Sequence, residues 1–444
     1  MSTIIATITS PIRSAICVIR ISGSQTVECL QALGVKKKPQ ANYSFFHKII
    51  FDDKNFIVDE AIITYYQAPK SFTGEDVAEI SIHNSPFIIK EIFAKLLSIK
   101  NVDLAQAGEF AKRAVLNNKL DLVQAEAIPD LIASETISQH RQAISQLQGK
   151  LGQIYQQWSQ KIIEISAIIE ALIDFPDDDL PLDLIEFVNN SLNNLKQQIS
   201  SHLNDNKIGQ KIKDGLKLAI IGSPNAGKSS LINYLANSEI AIVSPIEGTT
   251  RDIINTHLQI AGISVVISDT AGLRVSNNLI EQEGIKRAKE KAQNCDLILQ
   301  IIDATNPIIH HDFLGENTIL IFNKIDLHNP DFNKILAQNN LPKDYPYLAI
   351  SIEQKINLDS LINTLEINLL RLFPQSQSPA ITQERYRIAI QNCLNHLEKI
   401  NLNYDIELSA ENLRISLNEI AKITGKVGIE EILDVVFSKF CIGK

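Results

Sequence analysis

The sequence predicts a multidomain chain of α+β and α/β type, in which an α/β domain is inserted into a helical one. Three observations predict this. Short β-rich runs broken by turn signals fill the first quarter of the chain. A 3.6-residue apolar period then replaces them. Further on, apolar strands alternate with helical stretches before the helical period returns.

Residues 1–118 carry "AICVIRIS", "EAIITYY" and "VAEISIH" together with one helical stretch, "PFIIKEIFAKLLSI", and read as a small α+β domain. Residues 119–212 are rich in Gln, Ile, Leu and Glu at helical spacing and break mainly at "DFPDDDLP", so they form a first helical part. Residues 213–373 alternate "LKLAIIG", "SVVISD", "LILQIID", "TILIFNK" and "YLAIS" with helical segments, the pattern of a parallel sheet with crossover helices. After the linker "FPQSQSP", residues 374–444 return to helical periodicity and end in "CIGK". The two helical parts flank the α/β domain and are expected to pack on each other. There is no internal repeat and no low-complexity tract.

Composition narrows the classes of function. A chain that is 45% hydrophobic and 21% charged buries real cores and is not disordered. Its net charge of −9 means that any nucleic acid must be met by a local basic patch. "KKK" at Lys36–Lys38 reads as a solvated loop and not as a phosphate clamp. The five cysteines form no CxxC pair and suit a reducing cytoplasm. Arg13 and Arg20 interrupt the N-terminal apolar stretch, which argues against a secretory leader. No run of about 18 apolar residues exists, so no membrane span is expected.

"GSPNAGKS" (Gly222–Ser229) fits the phosphate-loop pattern G-x-x-x-x-G-K-[ST], with a strand before it and a helix after it. Its glycines let backbone N–H groups wrap phosphates, and the following helix favours the anion. Around it Asn225, Ala226, Gly227, Lys228, Ser229 and Ser230 are expected to touch the nucleotide. Lys228 reaches the β and γ oxygens and Ser229 holds Mg²⁺. "SPIEGTTRD" follows, with Ser244, Pro245, Ile246, Glu247, Gly248, Thr249 and Thr250 in reach, Thr250 being the second Mg²⁺ ligand. "DTAG" supplies Asp269, Thr270, Ala271 and Gly272, and "NKID" supplies Asn323, Lys324 and Asp326. The Asp326 carboxylate can accept both N–H donors of guanine, a pair that adenine lacks, so the ligand reads as GTP. Ser351 completes the base site through its backbone. These pieces, in this order, describe a Ras-like P-loop GTPase domain.

Leu273 stands where many GTPases keep a water-orienting glutamine. The acids of "IEQEG", Glu281 and Glu283, are candidates for that role, or ordinary acids in a helix's first turn. Asn225 is either a ligand for a monovalent cation beside the phosphates or an amide that braces the loop.

Beside the GTPase motifs, the stretches "ATITSPIRSAICVIRISG", "FTGEDVAEISIHNSP", "AQAGEFAKRAVLNNKLDLVQAEAIPDLIAS" and "FSKFCIGK" carry a resemblance that covers the whole chain. On these residues the chain resembles the bacterial and organellar tRNA wobble-uridine modification GTPases. The resemblance implies an N-terminal folate-binding-like domain that makes a homodimer and binds a formyl- or methylene-tetrahydrofolate through Arg20, Glu79, Lys119 and Lys444. It implies a flavoprotein partner, joined in a heterotetramer or larger complex, and addition of a carboxymethylaminomethyl-type group to C5 of the wobble uridine of certain tRNAs. It also implies that GTPase domains pair when K⁺ is bound by Asn225, Ser244, Ile246 and Thr249, and that Glu281 helps position water. The chain departs from the family pattern at "IRSA" (Ile12–Ala15), "HNSP" (His83–Pro86), Ala107 and "SIEQ" (Ser351–Gln354).

Cys441, four residues from the end, has three readings: a prenylation site, a thiol on a loose terminus, or part of a site. "CIGK" ends in Lys and has a single aliphatic residue, a poor prenylation box. The resemblance favours the third, with Cys441 near the folate as nucleophile or redox group. The competing class of function is a GTPase switch in ribosome assembly or RNA binding without modification activity. Its GTPase domain would look alike, so the N-terminal motifs and the terminal cysteine separate the two.

Overall fold

The structure is a computed structural model that describes residues 2–10, 12, 14–51, 56–174, 183–237, 256–268, 295–372, 379–402, 405–425, 436–437, 440 and 443. The chain divides into two compact units. The first comprises Met1–Ile132, Ile144–Ser201 and Arg385–Lys444, and the second Ala133–Ala143 and His202–Glu384.

In the first unit a six-stranded sheet is built from β1 (Thr3–Thr7), β2 (Ile16–Ser22), β3 (Tyr43–Phe51), β4 (Phe56–Tyr66), β5 (Val77–His83) and β6 (Val102–Leu104). Their order is β3-β4-β5-β2-β1-β6, antiparallel apart from the parallel β1–β6 pair. Alternation decides the faces. Ile19, Ile21, Ile63, Ile80 and Ile82 point into a core shared with residues of α1 (Thr26–Ala32) and α2 (Pro86–Leu97), while Arg20 and Glu79 stand on the other face. β3 is absent from the strand runs that the sequence singles out. Its adjacent apolar pairs, Phe45–Phe46 and Ile49–Ile50, hide the period of two, and the register shifts at the second pair.

The helices of this unit are α3 (Glu109–Leu116), α4 (Leu122–Ile132), α6 (Lys150–Asp174), most of α7 (Asp183–Leu203), nearly all of α12 (Glu384–Glu398) and α13 (Ile406–Thr424); α5 (Ile137–Leu147) crosses between the units. α6 buries Tyr155, Trp158, Ile162, Ile165 and Ile169, and α13 packs along it, so the helical parts on either side of the insertion do meet. A polar cluster is buried at this junction. Glu126 on α4 accepts from Arg385 Nε at 3.0 Å and Nη2 at 2.6 Å, and from the Tyr386 hydroxyl. Burial and the Glu126 charge push the Tyr386 hydroxyl far up, so it remains a donor. The Arg385 guanidinium also lies 4.5 Å from the Tyr386 ring centroid.

The second unit holds the other sheet, ordered β12-β11-β10-β7-β9-β8. Its strands are β7 (Leu216–Ile221), β8 (Thr256–Ile260), β9 (Ile263–Ser268), β10 (Leu297–Asp303), β11 (Thr318–Asn323) and β12 (Tyr347–Ala349), with α8 (Ile208–Asp214), α9 (Lys228–Asn237), α10 (Phe332–Gln338) and α11 (Leu358–Leu372) around it. All pairs are parallel except β8–β9. This pair is an antiparallel departure from the parallel pattern that the strand–helix alternation predicts. Ala261 and Gly262, at φ 52° and 76°, form a two-residue hairpin turn, too short for any crossover. Ala133–Ala143 joins this unit through Ser138 Oγ, which donates to Gly262 O, and Gln139 Nε2, which donates to Lys213 O.

Glu126→Gln is expected to destabilise the first unit by about 2–4 kcal/mol, because Arg385 loses its countercharge in a buried setting. Trp158 is the chain's single tryptophan and meets the Tyr155 ring at a tilt, and that ring in turn meets Tyr386. Urea unfolding followed by Trp158 fluorescence should therefore show a lowered midpoint with unchanged slope.

Candidate functional site

The loop after β7 is shaped by two glycines. Gly222 sits at φ 153°, and a Cβ there would lie 2.1 Å from Ile301 O on the neighbouring strand. Gly227 sits at φ 108°, and a Cβ there would lie 2.3 Å from Asn323 Nδ2. Between them Asn225 adopts a left-handed φ of 61°, which asparagine tolerates. Lys228 opens α9 and donates from Nζ to Gly222 O and Ser223 O, both at 2.8 Å. Burial pulls its ammonium below the usual lysine range. Ser229 and Ser230 lie on the first turn of α9, where an anion is favoured and a hydroxyl can meet a cation.

Asn323 ends β11 and is buried. Its Nδ2 donates to Ala226 O at 2.9 Å, and its Oδ1 accepts from Ile352 N at 3.2 Å. One amide thus joins the phosphate loop to the loop after β12. There Ser351 and Ile356 exchange backbone hydrogen bonds, and Ser351 Oγ accepts from Gln354 N at 3.1 Å. Lys324 pairs with Asp303 Oδ2 at 2.5 Å at the end of β10. Burial pushes the Asp303 carboxyl up, but bonds from Lys324 and Thr305 outweigh it and hold the group low. All these loops leave the C-terminal ends of parallel strands, where α/β sheets bind ligands.

Together they enclose a cavity of about 300 Å³ lined by Asn225, Gly227, Ser230, Asn323, Lys324, Asp326, Ser351, Ile352 and Glu353. All but the last two are residues that the sequence singles out, and Ala226, Lys228 and Ser229 belong to the same loop and helix. Ile352 and Glu353 are not expected as lining; their signal in the sequence is the unusual "SIEQ". Another unforeseen neighbour is His310, whose Nε2 lies 3.2 Å from Ser223 Oγ on the phosphate loop. Ser244, Pro245, Ile246, Glu247, Gly248, Thr249, Thr250, Asp269, Thr270, Ala271, Gly272, Glu281, Cys441 and Lys444 lie outside the described residues.

A second polar locus lies on the face of the first sheet opposite the α1–α2 core. Arg20 on β2 stands in register with Glu79 on β5, and its Nε and Nη2 both donate to Glu79 Oε1, at 2.9 and 2.7 Å. The guanidinium lies 5.2 Å from the Phe72 ring centroid and 5.5 Å from that of Phe110. Lys119 Nζ donates to Pro69 O at 3.0 Å, at the start of the loop that carries Phe72. The same loop is fixed by Asn117 Nδ2, which donates to Thr73 O at 2.7 Å, and by Arg113, which pairs with Glu75 at 3.1 Å. Two of the departures from the family pattern are also joined in this unit: Asn84 Nδ2 donates to Ile12 O at 3.1 Å and to Ser14 Oγ at 3.0 Å, tying "HNSP" to "IRSA".

Asn323→Ala is expected to weaken binding of a fluorescent GDP by about tenfold or more, since stranding one buried partner costs about 1–3 kcal/mol. The fold should persist, because the β10–β11 ladder does not use this side chain.

The comparisons with known proteins follow the same outline. The model "GTP-binding protein TrmE N-terminus" matches residues 3–119, and the model "MnmE helical domain" matches residues 122–441. The tRNA modification GTPase MnmE of Rickettsia prowazekii (strain Madrid E) is 44% identical over 450 residues, covering 100% of both chains. The protein of the same name from Rickettsia bellii (strain OSU 85-389) is also 44% identical over 450 residues, again covering 100% of both. Among solved structures, a point variant of Aquifex aeolicus Era bound to GDP and AlF4− is 25% identical, covers 40% of this chain and 66% of its own, and has a TM-score of 0.27. With relatives matched from end to end and both domain models satisfied, the chain belongs to the MnmE family of tRNA modification GTPases, GTP-hydrolysing enzymes of tRNA modification.

Proposed function

We propose that this chain hydrolyses GTP in a K⁺-dependent manner, switched by pairing of its GTPase domains within a homodimer. We further propose that, with a flavoprotein partner, it adds a carboxymethylaminomethyl-type group to C5 of the wobble uridine. The observation that carries the nucleotide half is one cavity uniting the phosphate loop with Asn323, Asp326 and Ser351. In this reading the phosphates lie along Gly227–Ser229, and Asp326 accepts from the guanine edge. Ser229 and Thr250 hold Mg²⁺, which supplies positive charge to the β and γ oxygens. The left-handed Asn225 and the oxygens of Ser244, Ile246 and Thr249 suit a hard monovalent cation, and Glu281 orients water in place of a residue at Leu273.

Arg20, Glu79, Lys119 and Lys444 form the folate site in this reading. The Arg20–Glu79 pair beside Phe72 supports it, since a flat heteroaromatic ring with amino groups needs both a stacking surface and an acceptor. Cys441 acts near that site. The domain limits are those that the sequence suggests: 1–118 for dimerisation and folate, 119–212 and 374–444 for the helical domain, and 213–373 for the GTPase. The setting is the cytoplasm. Among the described residues no helix is long and apolar enough to cross a membrane.

Steady-state GTP hydrolysis in K⁺ and in Na⁺, at matched ionic strength and fixed Mg²⁺, tests this reading. The K⁺ rate is expected to exceed the Na⁺ rate by about tenfold or more, a low bound for one electrostatic donor at a transferring phosphoryl group. Its specific activity should rise with protein concentration. Equal rates at all concentrations would remove the cation site and the pairing together.

A further inference from the structure

We propose that His310 is a positioning residue of the phosphate loop, holding it through Ser223, and that its imidazole takes up a proton when the nucleotide's phosphates bind. The inference rests on the nucleotide occupying the loop as read above.

His310 stands 87 positions from Ser223 in the sequence, yet its Nε2 is 3.2 Å from the Ser223 hydroxyl. It is held there by apolar anchors on both sides. Ile309 is buried in a cluster with Leu320 and Phe322, while Phe313 packs beside Ala219 and Ile221 and meets the His310 ring edge-on, with centroids 6.5 Å apart. The next residue points elsewhere, since His311 Nε2 lies 3.2 Å from Asn339 Oδ1. His310 is therefore the member of "HHD" aimed at the loop.

Ser223 is bonded at both its hydroxyl and its carbonyl, the carbonyl also accepting from Ala226 N at 3.3 Å. Its hydroxyl meets His310 and its carbonyl accepts from Lys228, so one residue connects the imidazole to the phosphate-binding ammonium. Among the described residues the charged groups that act on His310 are Lys228 on α9 and Asp312 in the following turn. Burial, then the Lys228 charge, shift the imidazole below the ordinary histidine range against the smaller pull of Asp312.

A polyphosphate reverses the second of these influences. It neutralises Lys228 and places negative charge beside the loop, which favours the imidazolium. The sign follows from linkage. If the bound state holds the proton more tightly than the free state, binding takes up a proton from solvent. Affinity then rises as pH falls through the bound-state pKa. A structural brace alone would give no such dependence.

The test measures fluorescent GDP affinity from about pH 5.5 to 8 for wild type, H310Q and H310F, spanning the range where histidine titrates. Calorimetry in two buffers of different ionisation enthalpy counts the protons taken up. H310Q keeps a hydrogen bond to Ser223 but cannot titrate, so the ionisation of the nucleotide itself cancels in the comparison. Wild-type affinity should gain up to about tenfold over H310Q at the acid end. H310F should bind several-fold more weakly than H310Q at every pH. Parallel profiles for wild type and H310Q, with equal proton uptake, would overturn the proton coupling. H310F binding as well as wild type would overturn the positioning role. If H310F fails to fold, H310Q still decides. Failure of wild type to bind GDP at any pH would instead sink the nucleotide site itself.

Discussion

The buried amide of Asn323 is the constraint on which the site depends. It is the point where loops from positions about a hundred residues apart in sequence are joined, since Nδ2 serves Ala226 O and Oδ1 serves Ile352 N. A side-chain amide is suited to this because it carries a donor and an acceptor on one planar group, so it can satisfy two backbones of opposite polarity at once. The arrangement also explains Gly227 independently of phosphate contact. Any side chain there would collide with the Asn323 amide before it met a ligand. The phosphate loop and the base loop are thus joined through one side chain.

The helical part of the first unit has its own counterpart in Glu126. The chain leaves this unit for the last time after Ser201 and returns at Arg385, and the carboxylate of Glu126 on α4 accepts from Arg385 and Tyr386 at the start of the returning segment. Arg385 also donates to Ile423 O and Lys422 O near the end of α13. One buried carboxylate and one guanidinium therefore tie three helical segments that sequence keeps far apart. Such a network is expensive to leave half-satisfied, which gives it specificity that apolar packing of α6 on α13 lacks.

What the sequence made legible follows from how each signal is written. The phosphate loop, "NKID" and the strand–helix alternation are local patterns, so a reader of residues alone finds them, and the cavity gathers the expected Asn225, Gly227, Ser230, Asn323, Lys324, Asp326 and Ser351. β3 escapes because adjacent pairs of apolar residues mask alternation, and the β8–β9 hairpin because Ala-Gly is a weaker turn signal than Asn-Gly. His310, Glu126 and Asn84 escape for a different reason. Each acts through a partner 87, 259 or 72 positions away, and no periodicity encodes such a pairing. Ile352 and Glu353 are visible as an unusual pair, but that they line the cavity depends on the turn closed by Ser351 and Ile356.

The phosphate loop also holds its own lysine. Lys228 is satisfied by two loop carbonyls, so a phosphate must compete with Gly222 O and Ser223 O for its ammonium. That competition lowers net affinity relative to an unpaired lysine, but it spares the protein the cost of a bare, half-buried cation. Burial holds the Lys228 ammonium below the usual lysine range, and a negative charge beside it acts in the opposite direction. The loop must in turn remain shaped while its lysine changes partner. Gly222 against Ile301, Asn323 on Ala226 O, and His310 on Ser223 Oγ fix it at three points around the moving ammonium.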